Sequence, residues 1–170
     1  MNRSFKRISW LLTIVMILAM LLPMGGVWAD ESVNITIIHT NDTHSRLLSS
    51  SSEIGFAKIA SKVKEIRGSN ENVLVLDAGD TFHGQTISTI VKGESAAEVM
   101  NIMKYDAMVT GNHDFNYRQE RLLDLSKITN FPIIAANIIK SYGSAFLSPH
   151  IIKGLKGATV GIFGLATQHT

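Results

Sequence analysis

The feature that most constrains the fold is the alternation of short apolar segments with segments of helical periodicity. Five segments have the length and β-branched content of strands, at residues 33–38, 73–76, 107–110, 133–136 and 158–164. Three segments between them carry helical apolar stripes, at residues 54–67, 95–104 and 119–127, with Ser95 as the expected cap of the second. This order predicts an α/β fold with a substantial parallel sheet.

Polar clusters follow directly on the first three predicted strands. They are Asp42 with His44, Asp77 with Asp80, and Asn112 with His113. Because sites in such sheets form beyond the carboxyl ends of the strands, we expect the three clusters to converge. Carboxylate and imidazole ligands suit zinc, manganese, iron or cobalt, and a pair of such ions needs one shared anionic ligand. The clusters therefore predict a two-metal site, approached by sharp turns at Gly79 and Gly111.

The first 29 residues have the pattern of a secretory signal peptide. Arg3, Lys6 and Arg7 precede a continuous apolar run, Pro23 interrupts it, and Ala29 is a small residue suited to cleavage. We therefore expect residues 1–29 to be removed and residues 30–170 to act outside the cytoplasmic membrane, without stable membrane insertion. The alternative is an uncleaved membrane anchor, because the run is nearly long enough to span a bilayer.

Charge and composition exclude several classes of protein. Without the three leader cations, thirteen basic residues face fourteen acidic ones, so no basic surface favours nucleic-acid binding. The absence of cysteine excludes disulfides and an N-terminal lipid site. The serine run at residues 49–52 lacks the context of an activated nucleophile, which argues against catalysis through a covalent intermediate on serine.

The sequences HTNDTH, DAGD and GNHDF, at residues 39–44, 77–80 and 111–115, occur in series after these strands. In this arrangement the chain resembles the calcineurin-like metallophosphatases, and within them the secreted 5′-nucleotidase and 2′,3′-cyclic-nucleotide 2′-phosphodiesterase branch. The resemblance implies a β-sandwich flanked by helices, in four layers α/β/β/α. It also implies that residues 30–170 are the N-terminal part of the catalytic domain, truncated after about half, with the C-terminal remainder and the substrate-binding domain absent.

The resemblance also implies roles for individual residues. Asp42 and His44 would bind the first metal, Asp80 would bridge both metals, and Asn112 would bind the second metal through its amide oxygen. His113 would stabilise the phosphate or the leaving oxygen. The family's remaining metal ligands lie farther downstream than this sequence extends, and no substrate-binding residue can be assigned.

Supporting residues are expected around these ligands. Asp77 is expected to accept hydrogen bonds from the following loop amides, Asn41 to brace its loop, and Asp114 to point away from His113. His83 could face the site or be an ordinary solvated loop histidine.

Asn116 departs from the 5′-nucleotidase pattern, which has an aspartate three residues after the histidine. A neutral amide can orient His113 but gives little support to a protonated imidazole, and asparagine here resembles the cyclic-phosphodiesterase side of the family. Arg118 stands where that motif has glycine. Either Arg118 is strained into a backbone angle that favours glycine, or the turn here is an ordinary one.

These features together predict a secreted enzyme that uses two divalent metal ions, zinc, manganese, cobalt or iron, to hydrolyse nucleotide phosphoesters through attack by a metal-bound hydroxide. The substrate could be a 5′-nucleotide, a 2′,3′-cyclic nucleotide or a UDP-sugar. The alternative is a truncated or degenerate family member that acts as a metal-binding or interaction module without turnover.

Overall fold

The structure is a computed structural model, and it describes residues 10–17 and 32–168. These residues fall into two units that divide between Ser32 and Val33. Residues 10–17 are helical and form α1. Within the described ranges, no helix has both the length and the apolar character needed to cross a membrane. Most of the predicted signal peptide, including the cleavage position at Ala29, lies outside the described residues, so that assignment stays a prediction.

The second unit alternates strands and helices along the chain, as the sequence predicts. Its elements are β1 (Thr36–Thr40), α2 (Phe56–Ser69), β2 (Val73–Asp77), α3 (Thr86–Thr89), α4 (Glu94–Met103), β3 (Ala107–Val109), a 3-10 turn (His113–Phe115), α5 (Arg118–Ile128), β4 (Ile133–Ile134), β5 (His150–Leu155) and β6 (Ala158–Phe163).

The first four strands form a parallel sheet in the order β1-β2-β3-β4. Thr40 is in register with Asp77, and Asp77 with Met108, so the carboxyl ends of β1, β2 and β3 lie side by side. One face of the sheet, including Val75 and Met108, forms a buried core with residues of α2, α4 and α5. This arrangement brings the three polar loops to one edge of the sheet.

The antiparallel hairpin of β5 and β6 lies against the other face of the sheet. At the end of β6, a Cβ on Gly164 would come within 2.6 Å of the Val109 side chain. The Ala136 amide also donates to the Gly164 carbonyl at 2.8 Å. Helices, parallel sheet and hairpin therefore stack in succession, which confirms the predicted α/β class.

Several local predictions were wrong in detail. Strand β1 begins at Thr36, three residues later than predicted, and β4 has only two residues. Ser95 does not cap α4: Gly93 occupies that position with a φ of 90°, and the Ser95 hydroxyl donates to the Ile87 carbonyl. Strand β5 was not predicted, because its pattern is broken by a lysine and a glycine and its pairing with β6 is what orders it.

Candidate metal centre

The first two site loops are joined by backbone hydrogen bonds that continue beyond the sheet. The Ala78 amide donates to the Thr40 carbonyl at 2.8 Å, and the Asp42 amide donates to the Gly79 carbonyl at 2.9 Å. The His44 amide then donates to the Asp80 carbonyl, also at 2.9 Å. Because each backbone fixes the other, the side chains of residues 42, 44 and 80 project from a defined frame.

Three predicted ligands have left-handed backbone conformations. The φ angles are 51° at Asp42, 46° at His44 and 59° at Asp80. Such conformations cost free energy in residues other than glycine, and they persist where the surrounding structure holds them. All three residues are predicted metal ligands. This coincidence indicates that the backbone strain is retained because it gives these side chains the direction that the site requires.

The second and third loops approach so closely that only glycine fits at two positions. Gly79 has a φ of 97°, and a Cβ there would lie 2.3 Å from the Gly111 nitrogen. A Cβ on Gly111 would lie 2.2 Å from Oδ1 of Asp80. The predicted sharp turn is therefore present at Gly79, whereas Gly111 is needed for close approach and has no positive φ.

Asp114 is the internal brace that holds the second and third loops together. Its side chain is buried, with an exposed fraction of 1%. It accepts hydrogen bonds from four backbone amides, all between 2.9 and 3.0 Å, those of Asp80, Thr81, Phe82 and Gly111. Burial raises the pKa of this carboxyl, while the four amides act in the opposite direction. The side chain points away from His113 into the loop backbone, as expected from the sequence.

Asp77 braces the loops from beneath. It accepts a hydrogen bond from the Gly79 amide at 2.9 Å, as predicted, and further ones from the hydroxyls of Thr40 and Thr81. Burial raises the pKa of Asp77 to about 7, against the lowering effect of these donors. Asp77 is therefore buried and hydrogen-bonded to both loops, and its assignment as a supporting residue of the metal site stays a prediction.

The structure brings together three of the predicted site residues. Ligand atoms of His44, Asp80 and His113 all lie within 4.8 Å of one another. The Oδ1 atom of Asp80 also accepts the His113 amide at 2.7 Å, which ties the third loop to the second. Two imidazoles and a carboxylate are a donor set that fits a transition-metal ion or zinc.

Asp42 and Asn112 lie in the same loops but outside this trio. Asp42 is exposed, and its Oδ2 atom accepts a hydrogen bond from Nδ2 of Asn41 at 2.7 Å, so Asn41 braces the loop as predicted. Asn112 is half-buried at the start of the 3-10 turn, where its carbonyl accepts the Phe115 amide. Their assignment as metal ligands stays a prediction.

His113 contacts the unusual asparagine. Nδ2 of Asn116 lies 3.0 Å from Nδ1 of the imidazole, so the amide orients the ring as expected from the sequence. An amide carries both a donor and an acceptor, whereas a carboxylate would accept only. Asn116 can therefore accompany either neutral tautomer of His113.

His83 and Tyr117 complete the surroundings of His113. The His83 ring stacks on His113 with centroids 6.0 Å apart, and Tyr117 lies beside His83 at 5.3 Å. The sequence alone leaves the direction of His83 open, because a loop histidine has no periodicity that fixes its direction. Arg118 has a φ of 72°, so the strained of the two alternatives is the one present.

A parallel sheet whose strand ends gather imidazole and carboxylate donors defines an α/β metal-binding domain. Residues 35–165 match the family model described as calcineurin-like phosphoesterase. The chain belongs to that family, which confirms the resemblance drawn from its three motifs.

Similar proteins include nucleotidases of several organisms. Identity is 39% with 5′-nucleotidase of Bos taurus and 37% with that of Homo sapiens, each over 89% of this chain. Snake venom 5′-nucleotidase of Gloydius brevicauda is 37% identical, also over 89% of this chain. The chain spans only 29% of the bovine and human proteins and 30% of the venom protein.

Solved structures share the fold. The NAD nucleotidase of Haemophilus influenzae superposes with a TM-score of 0.69 at 30% identity, covering 80% of this chain and 27% of that one. A 5′-nucleotidase precursor from Thermus thermophilus gives a TM-score of 0.69 at 31% identity, covering 78% and 28%. These matches confirm the calcineurin-like fold. They also show that this chain covers less than a third of either matched protein.

Proposed function

We propose that residues 30–170 are the N-terminal, metal-binding part of a secreted phosphoesterase that hydrolyses nucleotides with two divalent metal ions. The observation that carries this proposal is the convergence of His44, Asp80 and His113 within 4.8 Å of one another, in which two predicted metal ligands lie beside the histidine predicted to act on the phosphoester. The C-terminal remainder of the catalytic domain and the substrate-binding domain would be supplied in cis by a longer gene product.

The residues that would hold the metals lie on the three loops that follow β1, β2 and β3. Asp42 and His44 would hold one ion, Asn112 the other, and Asp80 would bridge them. Bound metals of this kind lower the pKa of water and neutralise charge on phosphoryl oxygens. The protein's own contribution is to fix the donors through Asp114 and Asp77, so that little rearrangement is needed on binding.

His113 would act on the phosphoester rather than on a metal. When its Nδ1 accepts from the Asn116 amide, its Nε2 carries the proton and can donate to a phosphoryl or leaving oxygen. Without a carboxylate partner, a doubly protonated imidazole receives less electrostatic support. This arrangement favours an ester with a reactive leaving oxygen, such as a 2′,3′-cyclic nucleotide.

The nucleotide class of substrate is supported by the similar proteins, whose names specify 5′-nucleotidases and an NAD nucleotidase. A 5′-nucleotide, a 2′,3′-cyclic nucleotide and a UDP-sugar are the three candidate esters. The extracytoplasmic location rests on the leader pattern of residues 1–29, with cleavage after Ala29. The near-neutral mature composition gives no support to nucleic-acid binding, and cleavage would leave no stable membrane insertion.

The test uses the full gene product that carries this chain, loaded with manganese or zinc. We expect wild type to hydrolyse nucleotide phosphoesters and to hold two ions per chain. Asp80→Ala should lower the content of both ions, whereas Asp42→Ala should mainly empty one, as measured by elemental analysis. Glu120→Ala, at an exposed position on α5, is the matched control and should keep both ions.

Two results would contradict the proposal. If Asp80→Ala retains two ions per chain, Asp80 does not bridge them. If the wild type binds metal but hydrolyses none of the three ester types, the chain belongs to a metal-binding module without turnover.

A further inference from the structure

Four rings form a continuous row through the site. His44 meets His113 edge to face, with centroids 5.0 Å apart and planes at 68°. His83 stacks almost parallel to His113, at 6.0 Å and 12°, and Tyr117 leans on His83 at 5.3 Å and 52°. All three separations lie in the range of favourable ring contacts. The proposed metal and substrate roles use His44 and His113 but leave His83 and Tyr117 without a function.

The backbone on both sides of His83 is fixed by the other site loops. The preceding residue, Phe82, donates its amide to Oδ1 of Asp114 at 2.9 Å and is fully buried. The following residue, Gly84, passes so close to the His44 carbonyl oxygen that a Cβ would lie 2.3 Å from it. His83 is therefore held half-buried beside His113 and is not a freely solvated loop residue.

His113 needs such a neighbour because its own hydrogen bond leaves the ring free in one respect. The Asn116 amide holds Nδ1, but a single hydrogen bond tolerates small shifts of its atoms, so the imidazole can still tilt by coupled rotation about its two side-chain torsions. The nearly parallel His83 ring, offset at a centroid separation of 6.0 Å, limits this rotation on the side that it occupies. The direction of Nε2 then depends on His83.

We propose that His83 is a positioning residue for His113, which it holds by stacking against the face of the imidazole, with Tyr117 as the backing ring. The proposal rests on the proposed function in one respect, that His113 acts on the phosphoester. In this role His83 would act through His113 and not directly on the metal or the substrate.

Tyr117 contributes to this arrangement through its aromatic ring. Its hydroxyl is buried and has no hydrogen-bond partner among the described residues. Its contact with His83 is made by the ring, so the aromatic body of the side chain is the part that backs His83. Tyr117→Phe keeps the ring and removes only the hydroxyl, and it is the matched control for the His83 variants.

The kinetic experiment compares three substitutions of His83 in the metal-loaded, full gene product. Misplacement of a reacting group lowers turnover more than affinity, so His83→Ala should lower kcat about tenfold and change KM less than about twofold. His83→Phe restores a ring without hydrogen-bonding atoms and should recover most of the lost kcat. His83→Gln restores hydrogen bonding without a ring and should be as slow as His83→Ala. Tyr117→Phe should match the wild type, and all variants should keep their metal content.

Two kinetic outcomes would overturn the proposal. A His83→Ala variant with wild-type kcat shows that His113 needs no such support. A His83→Gln variant that is active where His83→Phe is not shows that the polar atoms of His83 act directly, on substrate or metal.

A second readout separates this proposal from the proposed function. Nitrogen-15 NMR of the His113 imidazole in the metal-free protein reports ring order without any reaction. The brace predicts ring-current-shifted, narrow His113 signals in wild type and His83→Phe, and averaged signals in His83→Ala. Identical His113 signals in all three proteins would overturn the brace even if the enzyme is active. The predicted pattern in a protein that hydrolyses nothing would leave the brace standing and reject the function.

Discussion

The loops at the carboxyl edge of the parallel sheet and the hairpin of β5 and β6 are held in opposite ways. Asp114 alone fixes four loop amides, and glycine is the only residue that fits between the second and third loops. The hairpin instead alternates half-buried and exposed residues along both strands, and Ile152 and Phe163 are 65% and 67% exposed.

Polar contacts join the hairpin to the residues that precede β2 and β3. Lys153 reaches Oδ1 of Asp106 at 2.6 Å, and the Asn72 side chain binds the backbone of Lys156 through both its oxygen and its nitrogen. These bonds fix where the hairpin lies. The comparison teaches that, of these two regions, the loops that carry the predicted ligands have the closest backbone approaches.

The largest expected effect is the loss of Asp114. Asp114→Ala would leave four buried amides without their acceptor, so we expect the free energy of unfolding to fall by about 4 kcal/mol, near the upper end for single substitutions. Thr159→Ala, on the exposed face of the hairpin, should change it by less than about 0.5 kcal/mol. Urea titrations of the metal-free proteins measure both values. Equal effects at the two positions would contradict the contrast between loops and hairpin.

The second prediction concerns pH, and it applies to Asp77 in the metal-free protein. Its pKa is raised from 3.8 to about 7 in the folded state, so the folded protein binds the proton more tightly than the unfolded chain. The free energy of unfolding should therefore fall as pH rises from about 4 to about 7 and stay level above that range, by at most about 4 kcal/mol.

Asp77→Asn mimics the protonated acid and separates this contribution from that of other groups. The variant should match the wild type near pH 4 and exceed its stability near pH 8, with denaturant midpoints measured at both values. The hairpin variant Thr159→Ala should follow the wild-type pH profile. A wild-type protein that gains stability on Asp77→Asn equally at both pH values would show that ionisation of Asp77 is not the cause.

Much of this contrast was predictable from sequence, and the unpredicted part has a physical reason. The apolar pattern predicts β2 and β3 closely. A buried parallel strand is apolar on both faces, so it stands out in the sequence as a continuous run of apolar residues. Strand β5 was not predicted, since Lys153 and Gly154 interrupt its apolar pattern and its pairing with β6 is what orders it.

The site follows the same division. The motifs predict which residues converge, because strand ends in a parallel sheet share one edge. They do not predict the stacking of His83 on His113 or the four amides bound by Asp114, because such contacts depend on backbone angles. The sequence pattern likewise does not predict the left-handed backbone angles at Asp42, His44 and Asp80.

The smallest expected effect comes from a pair of glycine substitutions that compares the two regions directly. A Cβ on Gly111 would lie 2.2 Å from Oδ1 of Asp80, so Gly111→Ala must push the carboxylate or the loop aside. A Cβ on Gly161 in the hairpin would meet only Ile152 Cδ1, at 3.6 Å, which is ordinary contact. We expect Gly111→Ala to cost about 2 kcal/mol of stability, as overpacking typically does, and Gly161→Ala to be neutral within about 0.5 kcal/mol.

Because the displaced atom belongs to a proposed metal ligand, Gly111→Ala should also weaken metal binding, measured by calorimetric titration, whereas Gly161→Ala should not. A Gly111→Ala protein with wild-type stability and metal affinity would show that the loops yield as easily as the hairpin, and the contrast between the two regions would then be one of appearance rather than of rigidity.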